Sequence, residues 1–89
     1  MNTYYFWWDE LNIEHIANHG IEPYEAEETI DNDPLVRKAG KDRYAAYGQT
    51  DGGRYLLVVF ATKSEQRIRV ITARDLTKGE KKQLKRQKR

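Results

Sequence analysis

The stretch "YLLVVFAT" (Tyr55–Thr62) constrains the fold more than any other part of the chain. It is apolar at successive positions, so a strand built from it has no polar face to offer water. It therefore belongs at the centre of a sheet. The 89 residues around it suffice for one modest core and not for two. No internal repeat or linker divides them, and residues 1–89 read as a single domain.

Turn signals flank the central strand on both sides. Asp51-Gly52-Gly53 supplies a hairpin turn, so Arg43–Thr50 pairs with it, and Leu35–Lys38 adds a short further strand. Lys63–Gln66 turns the chain again into a strand over Gln66–Ala73. Ahead of the sheet, Tyr4–Trp8 reads as a short strand or an extended lead-in. Its five aromatics divide between core packing and a docking surface. Asp9 caps a helix over Glu10–His19 that Gly20 ends, with Ile13, Ile16, Ala17 and Gly20 on one face. Glu22-Pro23 opens a second helix, whose Glu25, Glu27 and Glu28 suit the positive end of its dipole. With Asp31 and Asp33 these acids form a solvated acidic face. Pro34 ends that helix by displacing Asp33 from helical geometry. Thr77 caps a last helix from Lys78 to about Gln87, and Glu80 completes a capping box. Leu84 is its single sizeable apolar residue, so the end, about 86–89, is expected to fray. The order gives an α+β fold: a short strand, two helices, an antiparallel sheet of about four strands and a basic helix.

Several function classes drop out on composition. There is no cysteine, which removes disulfides, thiolate metal sites and a cysteine nucleophile. No stretch has the make-up of a signal peptide, and "YYFWW" is far too short to span a bilayer. Together these point to the cytoplasm. The net charge of +2 conceals a division. Residues 1–62 carry 5 basic and 11 acidic side chains, whereas residues 63–89 carry 11 basic and 3 acidic. Such asymmetry suits a polyanion partner or a merely basic, solvated tail.

His15 and His19, four residues apart, share a helix face. The spacing would fit two zinc ligands, but "HIANH" lacks the glutamate of the zincin pattern and a third ligand, so no metal is expected. The arginines carry more information. By strand alternation Arg67, Arg69, Ile71 and Ala73 project to one face and Ile68, Val70 and Thr72 to the other. Arg74 follows at the strand end, and Lys78 and Lys82 are the first helical positions able to reach back. Guanidinium groups aimed from a sheet can grip phosphates bidentately, and lysines nearby add attraction that salt weakens. The alternative is a ladder of arginines paired with acids.

Four stretches in register carry a family resemblance: "FWWDELNIEHIANHGI", "EAEETIDNDPL", "DRYAAYGQTDGGRYLLVVFA" and "RIRVITARDLTKGEKK". Through them the chain resembles the BrnT toxins of bacterial type II toxin–antitoxin systems. The resemblance implies a RelE-like fold and a metal-independent, cofactor-free endoribonuclease that cleaves mRNA and halts growth. It also implies a ribbon-helix-helix antitoxin of the BrnA kind, through which alone operator DNA is bound. Carried over by position, Arg69 and Arg74 are the expected catalytic arginines, while Arg43, Arg67, Lys78 and Lys82 are expected to bind RNA. His19 and Asp42 are the candidate general acid or base. One departure stands out. Many relatives place a tyrosine where this chain has Leu84, and its loss opens a second reading: a catalytically weak or inactive relative that binds RNA or antitoxin.

In such an enzyme the RNA 2′-hydroxyl attacks the adjacent phosphorus, and the protein stabilises charge on the non-bridging oxygens. Each arginine aimed at that charge is worth about 2–4 kcal/mol if it acts as an oxyanion donor does.

Overall fold

The computed structural model describes residues 5–87. A two-residue strand, β1 (Tyr5–Phe6), leads into helices α1 (Glu10–Ala17) and α2 (Pro23–Asp31). Strands β2 (Leu35–Gly40), β3 (Arg43–Gln49), β4 (Tyr55–Lys63) and β5 (Arg67–Asp75) follow, and α3 (Lys78–Gln87) completes the elements. The sheet runs β1-β5-β4-β3-β2, with β4 in the middle as its composition requires. Neighbours pair antiparallel except β1, which lies parallel against β5. The α+β expectation holds. The parallel fifth strand was not foreseen, because two residues are too few to show a period.

Local chemistry sets the helix ends. The Asp9 carboxylate accepts from the Asn12 amide and the Asn12 side chain accepts from the Asp9 amide, a closed capping box. α1 stops at Ala17, two residues earlier than the sequence suggested, and Gly20 takes the left-handed conformation that turns the chain. Glu22 and Glu25 cap α2 in the same reciprocal manner, with Pro23 in its first turn. Asp33 is left-handed ahead of Pro34, so the helix ends where expected. At α3 the Thr77 hydroxyl accepts from the Glu80 amide and the Glu80 carboxylate from the Thr77 amide. Of the stretch expected to fray, Arg86 and Gln87 are helical, and residues 88 and 89 lie outside the described residues.

The two faces of the sheet are covered unequally. On one, Ile16, Ile21 and Ala26 of the helical layer bury Leu56, Val58, Val70 and Ala73. Ala46, Phe60 and Ile68 extend this core towards Phe6 and Tyr44. On the other face Leu76 and Leu84 pack over Ala45 and Leu57, flanked by Leu35, Tyr47 and Tyr55. The predicted apolar face of α1 is corrected: Ile16 and Asn12 are its buried residues, while Ile13 and Ala17 are exposed. Asn12 is buried at no cost, because its side chain also donates to the Trp7 carbonyl at 2.9 Å. Of the aromatic lead-in, Phe6 and Trp8 are half-buried whereas Tyr5 and Trp7 are exposed, so it does divide between core and surface. Tyr4 lies outside the described residues.

The acids of α2 are also corrected. Glu25 binds Arg54 at 3.1 Å, Glu27 accepts from the Trp8 indole at 2.7 Å, and Glu28 accepts from the Asp51 amide at 3.1 Å. They fasten the helix to the sheet rather than form a solvated face. Arg54 is the hub. It grips both oxygens of Asp75 at 2.9 and 3.2 Å and donates to the Gly20 carbonyl, tying the α1–α2 link to β4 and β5.

One irregularity reassigns a whole face. Val59 pairs with Thr72 but Phe60 with Val70, so Ile71 is an extra residue in β5, a β-bulge. Plain alternation puts Ile71 and Ala73 beside Arg69, and Thr72 opposite. Instead Val70 and Ala73, 1% and 0% exposed, share the helix-covered core, and Arg67, Arg69, Thr72 and Arg74 share the other face.

Leu84 alone fixes the lysine-rich α3 through apolar burial, at 4% exposure. Leu84→Ala is expected to lower the unfolding free energy by about 2–4 kcal/mol. Urea denaturation followed by circular dichroism measures this, and a loss below about 1 kcal/mol would mean that the polar contacts of α3 hold it unaided.

Candidate nucleic-acid interface

α3 covers only one end of its sheet face, the rows around Leu57, and cations line the uncovered end. Residues paired across an antiparallel sheet point the same way, so the register builds the site directly. Arg43 of β3 pairs with Ala61 of β4, and Ala61 pairs with Arg69 of β5. Two arginines thus flank one methyl group, their backbones two strand spacings or about 10 Å apart. The next row outward holds Lys63 and Arg67, with Tyr5 beyond. The next row inward holds Ala45, Val59 and Thr72. A cleft of about 380 Å³ opens here, lined by Arg43, Ala61, Lys63 and Arg69 from the sheet and by Leu11 and His15 from α1.

Arg69 is held ready. Its Nη1 donates to Asp9 at 2.7 Å, and its guanidinium and that of Arg67 lie 5.7 and 5.6 Å from the Trp7 ring centre. Asp9 caps α1 with the same carboxylate, so one acid fixes both the helix start and the arginine. The Arg69 hydrogen bond, aided by the Asn12 amide, holds the Asp9 carboxyl below its ordinary range. Trp7 is 46% exposed, a platform edge next to two guanidiniums.

The other expected residues separate. Arg74 shares the face through the bulge, but its fork is spent on Glu80 at 2.8 and 2.9 Å, with a further bond to the Asp75 carbonyl at 3.1 Å. Glu80 is pushed down to about 2 from 4.5, first by Arg74 and then by the Thr77 amide. Lys78 and Lys82 are exposed on α3; the lysines that reach back are Lys81 and Lys85, 5.7 and 5.5 Å from the Tyr55 ring centre. Asp42 occupies a left-handed turn position where β2 joins β3. His19 lies beyond the end of α1, its ring 5.9 Å from that of His15. Leu84 is core.

His15, which the sequence does not single out from His19, lines the arginine cleft and meets Thr72 at 3.1 Å. Lys63, Asp9 and Trp7 were missed as well. Asp9 and Trp7 come near Arg69 through β1 pairing and the α1 cap, which no local pattern reveals, whereas Lys63 is placed by the β4–β5 register. Among the described residues no cluster of three or more His, Asp or Glu could hold a metal ion. A larger concavity of about 670 Å³ lies on the opposite face, floored by Ile30, Tyr44, Phe60 and Ile68 and rimmed by Asp31 and Asp33. Its lining has acids and no cation, so the chemistry of phosphate selects the smaller cleft.

Comparison with known proteins decides the family. The model of the BrnT ribonuclease toxin of type II toxin–antitoxin systems matches residues 7–80. The chain belongs to the BrnT toxin family. Among solved structures it is similar to the Brucella abortus ribonuclease toxin BrnT, at 25% identity and a TM-score of 0.70. That match covers 85% of this chain and 100% of the other. No individually curated protein matches. As a BrnT family member the chain is a ribonuclease toxin of a type II system, with RNA as its substrate and an antitoxin as its partner. Among the described residues no helix is long and apolar enough to cross a membrane.

The ion pairs make stability pH-dependent with a defined sign. Asp9, Asp75 and Glu80 all have carboxyls lowered by arginines in the folded state. Each contributes fully above the ordinary carboxylate range and is lost as pH falls through its lowered folded value, an interval that for Glu80 runs from about 4.5 towards about 2. Urea midpoints should therefore fall steeply over that interval. Glu80→Gln should be less stable at neutral pH and show a shallower acid dependence; a slope equal to wild type would mean the Arg74–Glu80 pair contributes nothing.

Proposed function

We propose that the chain cleaves single-stranded mRNA at the uncovered end of its sheet, with the scissile phosphate between Arg43 and Arg69. The observation that carries this reading is the Arg43–Ala61–Arg69 row. A small residue between two arginines leaves room for a phosphate that each planar fork can grip. Arg67 and Lys63 continue the cationic track for the adjoining phosphate, and the exposed Trp7 offers a ring on which a base can stack. Charge that develops on the non-bridging oxygens as the 2′-hydroxyl attacks falls to Arg69, with Arg74 further along the face. Lys78 and Lys82 add non-specific attraction from α3.

The partner on this reading is a ribbon-helix-helix antitoxin of the BrnA kind, and operator DNA is reached only through it. The setting is the cytoplasm, and residues 1–89 act as one domain that needs neither metal nor cofactor.

A second reading, a binding module without cleavage, has its own support. Both Arg69 and Arg74 are engaged by carboxylates, and Leu84 brings no phenol to the site. Incubating a labelled single-stranded RNA with wild type, Arg43→Ala and Arg69→Ala separates the two. Cleavage by wild type and losses of about 100-fold or more in each variant are expected, the size of a lost transition-state donor. Salt-sensitive binding without new products would establish the module instead, and equal cleavage by all three would remove the arginine row from the site.

A further inference from the structure

We infer that His15 is the proton-transfer residue of the cleft, oriented for that work by Thr72. The inference rests on the ribonuclease reading above and adds a group which that reading lacks, because arginines stay protonated and cannot take the proton of a 2′-hydroxyl. Three observations converge on His15. It lines the same cleft as Arg43, Lys63 and Arg69. Its Nε2 stands 3.1 Å from the Thr72 hydroxyl, which fixes the ring and assigns that nitrogen a partner, leaving Nδ1 as the atom for substrate. Thr72 can give this support only because the bulge at Ile71 turns it to the arginine face, one row inward from Arg69.

The other candidates are placed less well. Asp42 sits in the β2–β3 turn, and His19 does not line the cleft. The groups that face His15 are His19 from the turn after α1, Arg69 from β5, Arg43 from β3 and Lys63 from β4. Asp9, which caps α1, is committed to Arg69. Among the side chains that line the cleft, the imidazole is therefore the one of a type that can accept a proton near neutral pH.

The step balances without a cofactor. The 2′-hydroxyl proton passes to Nδ1 of His15 as its oxygen forms a bond to phosphorus. The bond from phosphorus to the 5′-oxygen breaks, and that oxygen leaves with the electron pair and takes a proton from water. The products are a 2′,3′-cyclic phosphate and a 5′-hydroxyl, and the imidazolium returns its proton to solvent.

Single-turnover cleavage of a labelled single-stranded RNA between about pH 5 and 8, where imidazole changes charge, tests the inference. His15→Gln should cleave about 100-fold or more slowly, lose the rise of rate with pH, and bind RNA with unchanged affinity. His19→Gln should keep the rise. Thr72→Val should lower the rate with little change in KM, and Thr72→Ser should restore it. If wild type cleaves and His15→Gln keeps both its rate and its pH profile, the inference is overturned while the arginine site stands. If wild type does not cleave, the ribonuclease reading falls and this one with it. A fall in RNA affinity equal to the fall in rate would make His15 a binding residue and overturn the inference as well.

Discussion

The organising constraint is the two-sided burial demanded by β4. Leu56 and Val58 face one way and Leu57 and Val59 the other, so both faces of the sheet need cover. Two helices cover most of the first face, leaving the concavity beside Phe60 and Ile68. For the second the chain has α3, ten residues with one sizeable apolar side chain, and that is enough to close only one end. The fold tolerates the open end because its floor is built small: Ala45 and Ala61 expose little apolar surface there. The uncovered rows become available to arginine and lysine, whose charged ends need water. The site is thus the part of the second face that a short basic helix cannot reach.

The bulge at Ile71 determines what that open face contains. Without it, the spacing that puts Arg67 and Arg69 outward would put Arg74 inward against the helical core, where a guanidinium has no partner. One extra residue lets β5 keep Val70 and Ala73 buried and still send Arg69, Thr72 and Arg74 the same way. Bulges disrupt pairing locally, and here the disruption re-aims two polar side chains, Thr72 and Arg74, without loss to the core.

Much of this was legible in the sequence. The central strand, the capping residues Asp9 and Thr77, the turn at Asp51-Gly52-Gly53 and the final helix all follow from side-chain chemistry acting over a few residues, and the α+β class follows from their order. The family resemblance, carried by four stretches in register, holds against the family model. What could not be read depends on contacts distant in the chain. A strand of period two gives no sign of where a bulge will fall, since Ile71 and Val70 are chemically alike, so the face assignment failed from Thr72 onwards. The acids of α2 looked solvated because their partners, Trp8, Asp51 and Arg54, lie 19 to 29 residues away along the chain. His15 looked like half of an incomplete metal site because its actual neighbour is Thr72, 57 residues later.

The two arginines carried over from the family also differ in what they are free to do. Arg69 is held by one carboxylate that is itself tied into the α1 cap, and it borders an open cleft. Arg74 closes a bidentate pair with Glu80, and that same carboxylate completes the cap of α3. Breaking the first pair exposes a helix start that still keeps its Asn12 bond; breaking the second removes an ionic contact that seats α3 on this face. A phosphate can therefore compete for Arg69 at small structural cost, whereas engaging Arg74 requires α3 to loosen. On the proposed function this geometry divides the labour: Arg69 is the arginine placed to meet the substrate, and Arg74 the one that seats α3 through Glu80.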